Sequence, residues 1–263
     1  MMSLSISAAR PDPFLTLTAA AAVLLALAVG WSAVDHRMVG DAQVWVKPAK
    51  FALSFIVHFA TLALIMRVLS PEWREGRALG LTAGVMATAF LGEMAYIFVQ
   101  AAQAQPSHFY VSDGFHSIMY RLMGFGAVLL ILGPLVVAWA AVSDRAAALG
   151  PATRAGIGWG AAASFVLTMI TAGTMGARLS HFVGNPPPGA PTLPFFGWSA
   201  AVGDLRPAHF VALHALQVLP LAGLLLDRAG LGAGAVRWVA LGWGALSLGL
   251  YAQALMGLPL IRL

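Results

Sequence analysis

The stretch GDLRPAHFVALHALQVLP, from Gly203 to Pro220, decides how the chain is read. It carries Asp204, Arg206, His209, His214 and Gln217, then runs on through apolar residues as far as Leu226. That is the length of a membrane helix with polar first turns. Ionisable side chains at such depth are costly in lipid, so they are expected to face a protein interior or a wet cavity and to mark a site.

Composition carries the same reading outward. Of 263 residues, 60% are hydrophobic and 10% charged, where a soluble domain carries about 25% charged residues. The mean hydropathy is +0.83. Seven apolar segments reach the roughly 20 residues that cross a hydrocarbon core. They lie near residues 14–34, 50–69, 78–101, 117–142, 156–177, 208–226 and 235–258. The expected architecture is all-α: a polytopic transmembrane seven-helix bundle forming one domain, with a polar cavity opening on the side opposite the amino terminus. The first segment follows Arg10 and is longer than a signal core of about 7–15 residues, so it is expected to be an uncleaved anchor. The net charge of +5 reflects few acids rather than a basic tract, which gives nucleic-acid binding no support. Cysteine is absent, so thiolate ligands, cysteine nucleophiles and disulfides are excluded.

Let side A be the side of the amino terminus and side B its opposite. Lysines and arginines divide 8 to side A and 7 to side B. Several of those on side B stand beside polar helix ends, where a site would hold them. Discounting them makes side A cytoplasmic by the positive-inside rule, in a bacterial-type inner or plasma membrane. The side B connections are rich in His, Gln, Pro and aromatic residues. The longest contains NPPPGAPTLPFFGWSAAVGD, whose prolines favour an extended chain and whose Phe195, Phe196 and Trp198 suit the membrane interface. It reads as a semi-rigid lid. Ser107-His108-Phe109 after the third span is echoed by Ser180-His181-Phe182 after the fifth.

At 100° per residue, Lys47, Lys50, Ser54, His58 and Thr61 share a face of the second span. Glu93, Tyr96, Gln100 and Gln103 share one on the third. Ser164, Thr168, Thr171, Thr174 and Arg178 line the fifth, and His214 and Gln217 the sixth. The hydroxyls of the fifth span are expected to bond their own backbone, and glycines in GIGWGAAAS to permit close helix packing. Counting rise from the side B boundary puts His58, Glu93 and His214 at a common depth of roughly 9–12 Å. A second tier, His108, His116, His181 and His209, lies at the boundary with Arg121, Arg178 and Arg206. His116 and Tyr120 are four apart and share a face. His209 and His214 are five apart and diverge by about 140°, so one metal cannot take both from a regular helix.

Three chemistries fit. In the first, His58 and His214 hold haem b axially, or with Glu93 form a two-histidine, one-carboxylate set for iron, zinc or copper. His108, His116, His181 and His209 are the outlying ligand candidates. Arg121, Arg178, Arg206, Gln100 and Gln217 would then bind the cofactor, Glu93 and Tyr120 would move protons, and a quinone would be a natural partner. The second is a zinc-dependent lipid hydrolase. Seven helices with scattered histidines are similar in type to the superfamily of alkaline ceramidases and adiponectin-type receptors. That family spaces its paired histidines HxxxH near the last helix; here the spacing is HxxxxH on the sixth span, so no residue role is carried over. The third is a transporter or receptor for an anionic small molecule, with Lys47, Lys50 and the arginines at its mouth and Glu93 and His58 as a proton relay. Retinal would need a lysine deep in a helix, and Lys47 and Lys50 are the only lysines. No Walker loop, dinucleotide fingerprint or GxSxG elbow stands out.

Overall fold

The computed structural model describes residues 11–40 and 42–262; Arg10, counted above on side A, lies outside them. Among these described residues, seven helices are long and apolar enough to cross a membrane. They are α1 (Pro13–Ser32), α2 (Val46–Val68), α4 (Arg77–Ala102), α5 (Gly114–Ser143), α6 (Pro151–Arg178), α7 (Arg206–Arg228) and α8 (Gly234–Leu255). A single turn, α3 (Pro71–Arg74), sits in the side A connection between α2 and α4. Two short antiparallel hairpins complete the fold at side B: β1 (Met38–Val39) with β2 (Ala42–Gln43), and β3 (Phe182–Val183) with β4 (Gly203–Asp204). An all-α seven-helix bundle is therefore what the sequence forms.

Helix starts follow local chemistry. Asp12 caps α1, accepting from the Phe14 amide at 2.9 Å, and Asp113 caps α5 through the His116 amide at 2.9 Å. Each carboxylate satisfies an amide that has no partner within its helix. The start of α6 is capped from a distance. Asp227 at the end of α7 accepts from the Ala152 amide at 2.9 Å and from the Thr153 amide at 2.8 Å. Observed helices exceed the apolar runs mainly where their first turns hold polar residues or proline: α2 begins at Val46, before Lys47 and Pro48, and α6 at Pro151. Proline in a first turn removes no helical hydrogen bond.

The bundle divides into two packed groups. One is α1, α2, α4 and α5, around a core that includes Phe14, Phe59, Leu62, Met86 and Phe90. The other is α6, α7 and α8, and α5 against α6 joins the two. The closest approach is α6 on α7. A Cβ added to Gly156 would lie 2.4 Å from the Leu219 carbonyl oxygen, and one on Gly223 would lie 2.4 Å from that of Ala152. Lipid supplies no hydrophobic drive between helices, so small residues that let backbones touch hold such pairs together. Two of the four hydroxyls in the α6 stripe behave as expected: Thr171 and Thr174 bond the Leu167 and Ile170 carbonyls at 2.9 Å each, whereas Ser164 donates across to the Leu213 carbonyl of α7 at 3.1 Å and Thr168 bonds no backbone carbonyl of its own helix.

Candidate functional site

Positive charge collects at side B from two helices, α2 and α7. Lys47 and Lys50 stand in the first turns of α2. Lys50 Nζ donates to the Phe196 carbonyl at 2.9 Å, and Arg206 is the charged group beside it. Arg206 opens α7. Its Nε donates to Asp204 at 2.9 Å, its Nη2 donates to the Gly197 carbonyl at 2.7 Å, and its guanidinium lies 5.5 Å from the Phe182 ring centre. Asp204 is fully engaged, because it also accepts from the Ser199 amide at 2.8 Å and the Arg206 amide at 3.0 Å.

Two buried histidines stand near these cations, His181 beside Arg206 and Lys47 and His108 beside Lys47. His181 packs on Phe182 with ring centres 4.0 Å apart. Burial, with the Arg206 and Lys47 charges and against the pull of Asp204, brings its pKa from 6.5 to about 4. His108 lies 5.0 Å from the Phe51 ring and 3.2 Å from Ser107 Oγ; burial and then the Lys47 charge hold it well below the ordinary histidine range. Both imidazoles are therefore uncharged at neutral pH because they sit in low dielectric beside cations. The echoed tripeptides meet here: the Phe109 ring lies 6.3 Å from His181. Among the described residues, the acids near Lys47, Lys50 and Arg206 are Asp204, already held by Arg206, and Glu93, which lies near Lys47 without forming an ion pair with it.

The deeper residues separate into two directions. Glu93 is 5% exposed on α4, and its Oε1 points at Gly126 of α5, where an added Cβ would lie 3.4 Å away. His58 turns toward Leu130, one turn further along α5. Neither Glu93 Oε1 nor His58 Nε2 has a hydrogen-bond partner among the described residues, nor do the buried Tyr96 and Thr168 hydroxyls. His214 goes elsewhere: its Nδ1 bonds the Phe210 carbonyl at 2.8 Å, and its ring stacks on Phe210 at 4.0 Å.

A simple register explains that divergence. Gln217 Nε2 donates to Thr61 Oγ1 at 3.1 Å, tying α7 to α2. His58 and His214 each lie three residues nearer side B, so they occupy the same level. Three residues is also a rotation of about 60°. In two parallel helices facing one another, that same rotation carries the two imidazoles to opposite sides. Equal depth therefore does not bring the pair together. Among the described residues, no group of three or more His, Asp or Glu side chains is placed to hold a metal ion.

The remaining candidates are distributed as follows. His209 Nδ1 is 3.1 Å from Thr171 Oγ1, between α6 and α7. His116 pairs with Asp113 at 2.7 Å on the side B surface. Tyr120 donates to the Gly176 carbonyl at 3.2 Å and links α5 to α6. Gln100 fastens the loop after α4 through the Pro106 carbonyl at 2.7 Å. Arg121 and Arg178 are exposed, and of the three arginines only Arg206 joins the lysines. Two hollows, of about 400 Å³ beside Val142 and Arg154 and about 210 Å³ between α4 and α5, reflect surface shape and touch none of these residues. The Phe196 and Gly197 carbonyls are functional groups that residue types could not reveal. Compared with family models, curated proteins and solved structures, the chain matches none.

Proposed function

We propose that this protein is a membrane transporter or receptor that takes an anionic group at its side B mouth. The observation that carries the reading is the convergence of Lys47, Lys50 and Arg206, from α2 and α7, around two uncharged histidines. Among the described residues two carboxylates stand near them, Asp204, already held by Arg206, and Glu93. Cations gathered in a partly desolvated place repel one another and are stabilised by a counter-charge. Arginine and lysine meet phosphate or carboxylate through charge-assisted hydrogen bonds. The Phe196 and Gly197 carbonyls that now accept from Lys50 and Arg206 are neutral, so an anionic oxygen is the stronger acceptor for both. Glu93, behind Lys47, supplies the group through which a proton would accompany the anion. The metal-centred readings require His58, Glu93 and His214 to converge, and the register of α2 and α7 works against it.

Calorimetric titration of the detergent-solubilised protein with inorganic phosphate tests the reading. Binding should be saturable, weaken with salt, and fall about tenfold in Lys47→Gln and Lys50→Gln, the effect of one charge-assisted contact each. Phosphate heats identical in wild type and both variants, with all three folded, would overturn it.

A further inference from the structure

The second and sixth spans, α2 and α7, run in the same direction and carry polar residues at identical intervals. Lys50, His58 and Thr61 are spaced eight and then three residues apart; Arg206, His214 and Gln217 repeat that spacing. The upper rung is tied through consecutive carbonyls of one turn, Lys50 to Phe196 at 2.9 Å and Arg206 to Gly197 at 2.7 Å. The lower rung is the Gln217–Thr61 bond at 3.1 Å. The rungs are offset by eleven positions, about 16 Å of helix. Over that length α2 packs on α1, α4 and α5, and α7 on α6 and α8. The imidazoles of the middle rung turn aside, as described above. What remains is a seam with Leu53, Ser54 and Val57 exposed on α2 and Phe210 exposed on α7. Trp198, stacked on Phe196 at 4.3 Å, stands at its head.

In a bilayer, a seam on the outside of a bundle is filled by acyl chain. Which lipid fills it depends on the charge at its head, and basic pockets between membrane helices favour anionic headgroups. We infer that the α2–α7 seam holds an acyl chain of an anionic phospholipid from the surrounding bilayer, with its phosphate seated between Lys50 and Arg206. This rests on the anionic-site reading and names its ligand. Charge complementarity at the head and apolar walls below it select an amphiphile over a free anion. The phosphate takes over the Lys50 and Arg206 donors from the Phe196 and Gly197 carbonyls, so the turn bearing Trp198 responds to occupancy.

Quenching of Trp198 by bromine on lipid chains tests this. The protein is placed in micelles titrated with dibrominated phosphatidylglycerol or dibrominated phosphatidylcholine. The difference between wild type and Trp198→Phe isolates the one tryptophan. The anionic lipid should reach half-quenching at about a tenfold lower mole fraction than the zwitterionic one. Lys50→Gln should erase that preference and Lys50→Arg keep it, with circular dichroism verifying that each variant is folded. Equal quenching by both lipids, alongside phosphate binding that depends on Lys50, overturns the lipid while sparing the anionic site. Equal quenching with no Lys50-dependent phosphate binding overturns both.

Discussion

Replacing Gly156 by alanine puts a methyl group where the backbone of α7 already stands. The new Cβ would lie 2.4 Å from the Leu219 carbonyl oxygen and 3.0 Å from the Pro220 Cα, against an ordinary contact of 3.4 Å or more. The shortfall of about 1 Å involves backbone on both sides. No side chain can rotate to relieve it, so α6 must move off α7. The same crossing is tight at Gly160 and Gly223, whose added Cβ atoms would lie 2.9 Å from the Ala215 oxygen and 2.4 Å from the Ala152 oxygen. Overpacking of this kind costs about 1–3 kcal/mol. Alanine returns up to about 1 kcal/mol of helix propensity, so a backbone clash at the upper end of that range leaves a net loss of roughly 2 kcal/mol. Gly173→Ala is the control, since nothing lies within 4 Å of its added Cβ; it should keep or raise stability. Thermal unfolding in detergent, followed by circular dichroism, should show Gly156→Ala melting below wild type and Gly173→Ala at or above it. A Gly156→Ala protein as stable as wild type would refute the backbone-to-backbone contact.

Two further outcomes follow from the ends of the bundle. Asp227→Ala removes the acceptor for the Ala152 and Thr153 amides and the Thr153 hydroxyl; it should lower stability by about 1–2 kcal/mol as a lost helix cap, with Asp227→Asn retaining part of it, read by the same melting assay. His181 sets a pH dependence: its pKa is about 4 in the fold against 6.5 for the free group. The unfolded chain therefore binds the proton first, stability is flat above about pH 6.5 and declines as pH falls toward 4. His181→Gln should flatten that decline in melting curves taken across the range, and an unchanged slope would contradict the neutral assignment.

Seven spans were legible because lipid imposes a length: a run such as that from Phe14 to Val34 has no other use. Glycines in GIGWGAAAS were legible for a related reason. Gly156 and Gly160 recur at four-residue spacing on one helix face, and that face meets α7. Depth was also readable, since rise per residue is fixed, and the Thr61–Gln217 bond does place His58 and His214 level. Azimuth was not readable. Whether two side chains at one level meet depends on which helices are neighbours and how each is rotated, and neither is encoded in a single stripe. Arg121, Arg178 and Arg206 share side B, and Asp204 two residues before Arg206 is visible in the sequence, but its hold on a guanidinium lying over Phe182 is not. The acceptors at the mouth are backbone carbonyls of Phe196 and Gly197, which every residue possesses and no motif announces.

Lys47, Lys50 and Arg206 are proposed as a seat for negative charge at one end of the bundle. A density map of the protein in nanodiscs rich in phosphatidylglycerol addresses it directly. A phosphate-sized feature is expected within about 4 Å of both Lys50 Nζ and the Arg206 guanidinium, the reach of an ion pair, continuing as a chain between α2 and α7. A well-resolved mouth in which those cations still bond only the Phe196 and Gly197 carbonyls and Asp204 would contradict it.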